Sequence, residues 1–98
     1  MPIVQFEHPI RDYEMWKAAF DRDPIDRRGL GVRSHRIYRP VDDPHYIVGE
    51  LEFETQQQAE ACATKLRELW SSRQTAPALQ GDPKVRIVDT VECHQYSS

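Results

Sequence analysis

The sequence predicts an α+β fold with the element order β-α-β-β-α-β, and three observations support this prediction. Residues 45–54 form the longest stretch in which apolar and polar side chains alternate, as they do along a strand. An amphipathic helical pattern follows this stretch from Thr55, and a second helical pattern begins after Asp12. Right-handed crossovers then place both helices on one face of a four-stranded antiparallel sheet with the first and third strands in its middle.

The first strand and the first helix are predicted within the first 21 residues. Residues 2–8 alternate in hydrophobicity, and Pro9 ends the strand because proline cannot donate to a ladder. Asp12 is a favourable N-cap for a helix that covers residues 13–21. Residues at helical spacing form one face of this helix: Tyr13, Trp16, Lys17 and Phe20. The helix is short, so its stability depends on burying these aromatic side chains.

The next segment predicts a connector and then a hairpin. Residues 22–31 show no hydrophobic period and contain one proline and two glycines, which is typical of a loop. We expect this loop to be a solvated connector, and the alternative is a mobile or ligand-facing loop. Residues 32–39 alternate without a clearly apolar side, and this pattern suits a strand at the edge of a sheet. Residues 40–44 form the turn that joins this strand to the central strand.

The second half of the chain predicts a long helix and a final strand. Thr55 caps a helix that runs to about Ser71. Its predicted buried stripe consists of Ala59, Cys62, Ala63, Leu66, Leu69 and Trp70. Residues 72–83 have the composition of a loop, and residues 84–93 alternate as a strand. We expect one domain over residues 1–98, with an ordered core of about 2–93 and a short C-terminal tail.

Composition and charge exclude several classes of function. The net charge of -3 lacks the basic excess of a nucleic-acid-binding protein. No apolar run reaches the length of a membrane span, and the first residues lack a signal-peptide pattern, so we expect no membrane partner and a cytoplasmic protein. Cys62 and Cys93 form no CxxC motif, which favours two thiols in a reducing compartment.

The two faces of the predicted sheet differ in polarity. The apolar face carries Val4, Phe6, Gly49, Leu51 and Phe53, and Gly49 leaves room there for Trp16 or Trp70. The opposite face is mixed and carries Ile3, Gln5, Glu7, Tyr46, Val48, Glu50 and Glu52. Two such sheets packed face to face form a closed dimeric barrel, in which Arg36 or Arg86 pairs with the acids. The alternative is a monomer with a solvated polar face.

Two stretches of sequence resemble a known superfamily. Residues 8–21 (HPIRDYEMWKAAFD) and 39–53 (RPVDDPHYIVGELEF) are similar to small bacterial members of the dimeric α+β barrel superfamily, which includes antibiotic-biosynthesis monooxygenases, polyketide cyclases and haem-degrading enzymes. The resemblance covers most of the chain. It implies a ferredoxin-like domain, dimers formed through the sheets, and a ligand pocket between sheet and helices. Haem-degrading members carry an axial histidine on the second helix, and residues 56–72 contain none, so haem is disfavoured.

Site residues can be predicted from the same pattern. His8 is the candidate acid–base residue because histidine titrates near neutral pH; the alternative is a strand-end histidine bonded to a helix cap. The predicted ligand pocket is aromatic and consists of Trp16, Phe20, Tyr38 and Trp70, with Tyr46 as a further candidate. The alternative is that these side chains only fill the core. His35 and His45 flank the hairpin, but a metal site needs three ligands or more, so no metal and no cofactor is predicted.

Three functional hypotheses remain open at this point. The first is a cofactor-free enzyme of the monooxygenase or cyclase type that acts on a small hydrophobic, aromatic molecule. The second is a non-catalytic module for small-molecule binding or dimerisation. The third rests on the start MPIVQF, which resembles tautomerases whose mature chains begin with a catalytic proline, although Met1 blocks the amine of Pro2 in this chain.

Overall fold

The computed structural model describes residues 1–71 and 83–97. The helices and strands, in chain order, are β1 (Pro2–Pro9), α1 (Tyr13–Asp21), α2 (Arg27–Leu30), β2 (Ser34–Tyr38), β3 (Tyr46–Glu52), α3 (Gln56–Trp70) and β4 (Lys84–Asp89). Over the described ranges the strands form a four-stranded antiparallel sheet with the order β2-β3-β1-β4. The predicted fold class is therefore confirmed, with β1 and β3 in the middle and β2 at an edge.

The register between β1 and β3 determines which side chains share a face. Val4 lies opposite Leu51 and Phe6 lies opposite Gly49, and these residues belong to the buried face. Side chains from that face and from α1 and α3 form the core: Val4, Phe6, Ile10, Trp16, Ile47, Leu51, Phe53, Ala59, Cys62 and Leu66. The intervening residues, such as Gln5 opposite Glu50, point to the other side of the sheet. We call that side the helix-free face.

Both long helices begin at the predicted caps. The Asp12 carboxylate accepts a hydrogen bond from the backbone N–H of Met15 at 2.7 Å. Thr55 and Gln58 form a capping box, in which each side chain accepts from the other residue's backbone N–H. These bonds satisfy N–H groups that a helix end leaves without partners, so the helix starts are defined locally by the sequence.

The connector between α1 and β2 differs from its prediction. It contains the short helix α2, whose N-cap Asp26 accepts a hydrogen bond from the N–H of Gly29. Four residues span barely one turn, which is too little to leave a hydrophobic period in the sequence. Asp23 and Asp26 both have positive φ angles, of 54° and 57°, so the segment is held in a backbone conformation that side chains other than glycine seldom adopt.

Strand ends also differ from the prediction. β1 extends through Pro9, and the next N–H, of Ile10, donates to the carbonyl of His45 at 2.9 Å. β4 ends at Asp89 rather than residue 93, because its register with β1 finishes at the pair of Pro2 and Asp89. The loop predicted over residues 72–83 lies, apart from Pro83, outside the described residues. No helix among the described residues has the length and apolar character needed to cross a membrane.

The space above Gly49 is filled by Phe6 and not by a tryptophan. The Phe6 ring occupies the position that a Cβ at Gly49 would need. Phe6 is the direct cross-strand partner of Gly49, so its side chain reaches this space before any side chain from a helix. Trp70 packs against Phe6 instead, with ring centroids 6.2 Å apart.

Candidate functional site

A cavity of about 70 Å³ lies between the buried face of the sheet and the helices. We call it the helix-side cavity. Its lining residues come from β1, α1, the connector with α2, β3 and α3: Phe6, His8, Trp16, Ala19, Phe20, Pro24, Ile25, Arg27, Leu51, Leu66, Leu69 and Trp70. Only His8 and Arg27 among them carry ionisable side chains. As far as the described residues form it, the cavity is therefore an apolar, aromatic enclosure with two polar groups, which is the usual composition of a small-molecule site.

His8 lies at the end of β1, and only 1% of its surface is exposed. Its ring centroid lies 6.0 Å from that of Trp70 and 6.4 Å from that of Trp16. The Nδ1 atom lies 3.0 Å from the carbonyl oxygen of Pro9. A carbonyl can only accept, so Nδ1 carries the hydrogen and donates to Pro9, and no helix cap takes part in this bond. In the neutral ring Nε2 then holds a lone pair, and no residue of the described part hydrogen-bonds it.

Burial keeps the His8 imidazole uncharged. Desolvation lowers the pKa of His8 below its ordinary value of 6.5, and the bond to Pro9 opposes this effect only in part. A neutral imidazole with a lone pair on Nε2 can accept a proton from a molecule in the cavity. The environment therefore matches the protonation state that a general base requires.

Three of the predicted aromatic residues line the cavity together with His8. Trp16 stacks on Phe20 with a centroid distance of 4.9 Å and an interplanar angle of 18°. Trp70 lies at the end of α3, against Phe6 and His8. Flat apolar walls of this kind suit an aromatic ligand.

Tyr38 is placed elsewhere, and its prediction as a pocket residue does not match the structure. It pairs with Val48 on the helix-free face, and its hydroxyl donates to the Glu50 carboxylate at 3.0 Å. The reason is the alternation along β2, which sends Ile37 to the buried face and Tyr38 to the other. Tyr46, the further candidate, lies on that same face opposite Pro9.

Arg27 is the charged cavity residue that the sequence pattern did not reveal. Its guanidinium carbon lies 3.8 Å from the centroid of the Phe20 ring, and one terminal nitrogen donates to the Phe20 carbonyl at 2.8 Å. Its Nε atom lies 3.4 Å from a carboxylate oxygen of Asp23. Residues 22–31 contain three arginines without periodicity, so the sequence held no signal for which of them turns inward.

The remaining predicted candidates lie outside the cavity. His45 bonds the backbone carbonyl of Arg11 through Nδ1 at 2.8 Å, and His35 packs edge-on against Phe20 with centroids 5.2 Å apart. The described ranges contain no group of three or more His, Cys, Asp or Glu side chains that could hold a metal ion. Pro2 pairs with Asp89 in the sheet and does not line the cavity.

The two cysteines are free and lie in different environments. Cys62 is buried in α3, and burial raises its pKa to about 11, whereas Cys93 is exposed. Neither lines the helix-side cavity. A thiol with so high a pKa is a poor nucleophile at neutral pH, so Cys62 acts as a packing residue.

Comparison with known proteins gives matches in structure but not in sequence. No protein-family model matches the chain, and no curated protein matches it in sequence. A monooxygenase from the gene ActVA-Orf6 of Streptomyces coelicolor, solved with the ligand nanaomycin D, is 16% identical, with a TM-score of 0.71 over 98% of this chain and 92% of that one. An antibiotic biosynthesis monooxygenase is 18% identical, with a TM-score of 0.64 over 94% of this chain and 100% of that one.

A third similar structure is a dimeric ferredoxin-like protein from an uncultured marine organism. It is 10% identical, with a TM-score of 0.68 over 95% of this chain and 98% of that one. These three matches show that the chain shares the fold of these proteins, as the resemblance in sequence predicted. Fold alone does not determine a reaction, so the function must be argued from the helix-side cavity.

Proposed function

We propose that this protein is a cofactor-free enzyme of the monooxygenase or cyclase type that acts on a small aromatic molecule in the helix-side cavity. The observation that carries the proposal is the state of His8: a neutral imidazole, bonded at Nδ1 and without a protein partner at Nε2 in the described residues, in an aromatic enclosure. The monooxygenases among its structural neighbours support the proposal at the level of the fold.

The proposed chemistry begins with a proton transfer to His8. Nε2 takes a proton from an acidified C–H or O–H group of the substrate, and the bond from Nδ1 to Pro9 holds the ring in place. In the oxygenase reaction the charge of the resulting anion is shared with a ring carbon, and the anion reduces O2. An activated ring CH2 group then becomes C=O, or a hydroxyl and a ring C–H ortho or para to it become the two C=O groups of a quinone, and one molecule of water leaves. In the cyclase reaction the same carbon attacks a carbonyl of its own molecule, the alkoxide that forms takes the proton back from His8, and no O2 is consumed. Trp16 and Trp70 hold the flat substrate and exclude water.

The test replaces the imidazole and follows turnover. His8→Gln keeps a hydrogen-bonding side chain of similar length but removes the basic nitrogen, so we expect a folded protein that has lost turnover. Oxygen uptake and product formation are measured with hydroxylated aromatic and polyketide-like compounds, and circular dichroism monitors the fold. His94→Gln is the matched control, because His94 is exposed and contacts Tyr96 instead of the cavity. Undiminished turnover in His8→Gln would show that His8 is not the base.

The second candidate is a non-catalytic module that binds a small molecule. The near-complete burial of His8 and the small volume of the cavity favour it, since both are also properties of a well-packed core. In that case aromatic compounds raise the unfolding midpoint of the protein, but none is converted. Conversion of any stabilising compound in a His8-dependent manner decides for the enzyme.

We also propose that two copies associate through the helix-free face. Its charges alternate in sign across the strands, with Arg36 opposite Glu50 and Lys84 opposite Glu7. Ile3, Tyr46 and Val48 add apolar area between them. A second copy presents the same acids and bases, so a two-fold arrangement can pair them. A structural neighbour with the same fold is dimeric, which supports the association of two copies in general.

Sedimentation velocity tests the association directly. Val48→Lys places an additional charge in the middle of the helix-free face, and we expect it to shift the protein toward a monomer. Val41→Lys makes the same change in the exposed turn before β3, and we expect no shift. A wild-type protein that sediments as a monomer at micromolar concentration, or equal behaviour of the two variants, contradicts the proposed interface.

A further inference from the structure

We infer that Arg27 anchors an anionic oxygen of the ligand and that the ligand is a single-ring aromatic carboxylate. The inference rests on the proposed function, which places the ligand in the helix-side cavity. It adds the chemical class of that ligand and a residue that determines specificity.

The volume of the cavity limits the size of the ligand. Sites for drug-sized ligands measure about 300–1,000 Å³, and a cavity of about 150 Å³ in an engineered protein accepts benzene. The helix-side cavity has about 70 Å³. Even one aromatic ring therefore needs small side-chain shifts, for which the half-buried residues Ile25 and Trp70 are suited. Fused rings require a much larger rearrangement.

The charge in the cavity selects the functional group of the ligand. Among the described residues that line the cavity, Arg27 alone carries a fixed charge, since His8 is neutral. One terminal nitrogen of Arg27 bonds the Phe20 carbonyl, and the other has no hydrogen-bond partner among the described residues. A guanidinium in a mostly apolar enclosure binds carboxylates through short, charge-assisted hydrogen bonds.

Asp23 does not neutralise this guanidinium fully. Its carboxylate lies 3.4 Å from Nε of Arg27, which is longer than a well-formed charged hydrogen bond. The Asp23 side chain is 36% exposed, whereas that of Arg27 is 18% exposed, so water screens the acid more than the base. The same carboxylate also accepts the backbone N–H of Arg27 at 2.9 Å. Arg27 therefore retains attraction for a second anion on its cavity side.

Taken together, His8 and Arg27 indicate which functional groups the ligand carries. Nε2 of His8 accepts a proton or a hydrogen bond, and Arg27 donates hydrogen bonds to an anion. A ring with a hydroxyl group and a carboxylate satisfies both, and its flat faces fit between the aromatic walls. 4-Hydroxybenzoate is the simplest probe with these features.

The test compares 4-hydroxybenzoate with 4-hydroxybenzyl alcohol, which replaces the carboxylate by a neutral group. Calorimetric titration of the full chain gives both affinities. We expect the carboxylate to bind about ten- to a hundredfold more tightly, as for a hydrogen bond between charged groups. Arg27→Gln removes this preference, and Arg28→Gln, at the neighbouring exposed position outside the cavity, keeps it. Asp23→Asn removes the competing acid, tolerates the left-handed backbone, and strengthens carboxylate binding.

Several outcomes overturn the inference. They are equal affinity for the two compounds, a carboxylate preference that survives in Arg27→Gln, tighter binding of a naphthalene analogue, and no saturable binding of either compound. Circular dichroism and the unfolding midpoint establish that each variant folds, and Arg27→Lys, which keeps the charge, provides a second test at this position. Arg27-dependent binding of 4-hydroxybenzoate, together with undiminished turnover in His8→Gln, retains the inference and refutes the catalytic role of His8. His8-dependent turnover of neutral compounds supports the enzyme and contradicts the inference about Arg27.

Discussion

The contact between Gly49 and Phe6 gives a prediction whose magnitude follows from the structure. A methyl group at position 49 would overlap the Phe6 ring, so Gly49→Ala forces that ring to move. Both residues are buried in the middle of the sheet, where overpacking costs about 1–3 kcal/mol. For a domain of this size, each kcal/mol lowers the unfolding midpoint by about 4–8 °C. We therefore expect Gly49→Ala to unfold about 4–24 °C below the wild type.

The displaced ring also affects the site. Phe6 lines the helix-side cavity, so a displaced Phe6 ring can turn into that cavity. Gly49→Ala should therefore weaken the binding of any cavity ligand in addition to lowering stability. Binding is measured at a temperature at which both proteins remain folded, so that the two effects are separated.

A double-mutant cycle makes the reasoning testable. Phe6→Leu alone removes buried ring atoms and is destabilising. In the presence of Gly49→Ala the smaller side chain relieves the overlap, so the double variant should be more stable than the sum of the single effects by about 0.5–3 kcal/mol. Chemical denaturation of the four proteins gives the coupling energy. Additive effects, or a Gly49→Ala protein within about 0.5 kcal/mol of the wild type, would refute the proposed overlap.

Three further predictions concern the caps, the buried histidine and the cysteines. Thr55→Ala breaks the capping box and should lower the free energy of unfolding by about 1 kcal/mol in a denaturation experiment. Thr64→Ala, at an exposed position inside the same helix, is the control and should lower the free energy of unfolding by less. Burial lowers the pKa of His8, so the unfolded chain binds a proton at His8 more readily than the folded protein does. The stability that comes from keeping His8 neutral is therefore complete above pH 6.5, and it is lost as the pH falls toward the folded-state pKa. His8→Gln should flatten that part of the stability profile, and an unchanged slope contradicts the prediction. Cys93 should react with a thiol reagent at once, and Cys62 only at the rate at which the protein opens, so two equally fast thiols would show that Cys62 is accessible.

The sequence predicted the parts of the fold that depend on long patterns or on caps. Alternation over β1 and β3 identified the central strands and their buried faces, and Asp12 and Thr55 marked the helix starts. These features are local, so one sequence is sufficient to read them. The dimeric barrel is different, because it depends on a second copy that no local pattern describes, and it stays a prediction.

The site was predicted only in part, for a physical reason. His8 and Trp16 lie on periodic elements, so their direction follows from the spacing. Arg27 lies in a single helical turn, where contacts with Phe20 and Asp23 decide its direction. Tyr38 lies in an edge strand with no apolar side, so alternation alone could not show which of its faces would be buried. Residues whose positions depend on tertiary contacts could therefore not be predicted from the sequence.

The strand order has a consequence for how this chain is made. β1 leaves the ribosome before β2, β3 and β4, yet its place in the sheet is between β3 and β4, and Pro2 pairs with Asp89. Until β4 emerges, a nascent sheet of β1, β3 and β2 leaves one backbone edge of β1 open. The sheet can therefore close only after β4 has been synthesised. In this interval the open edge of β1 can pair with a wrong strand, so the growing polypeptide benefits most from chaperones that hold it.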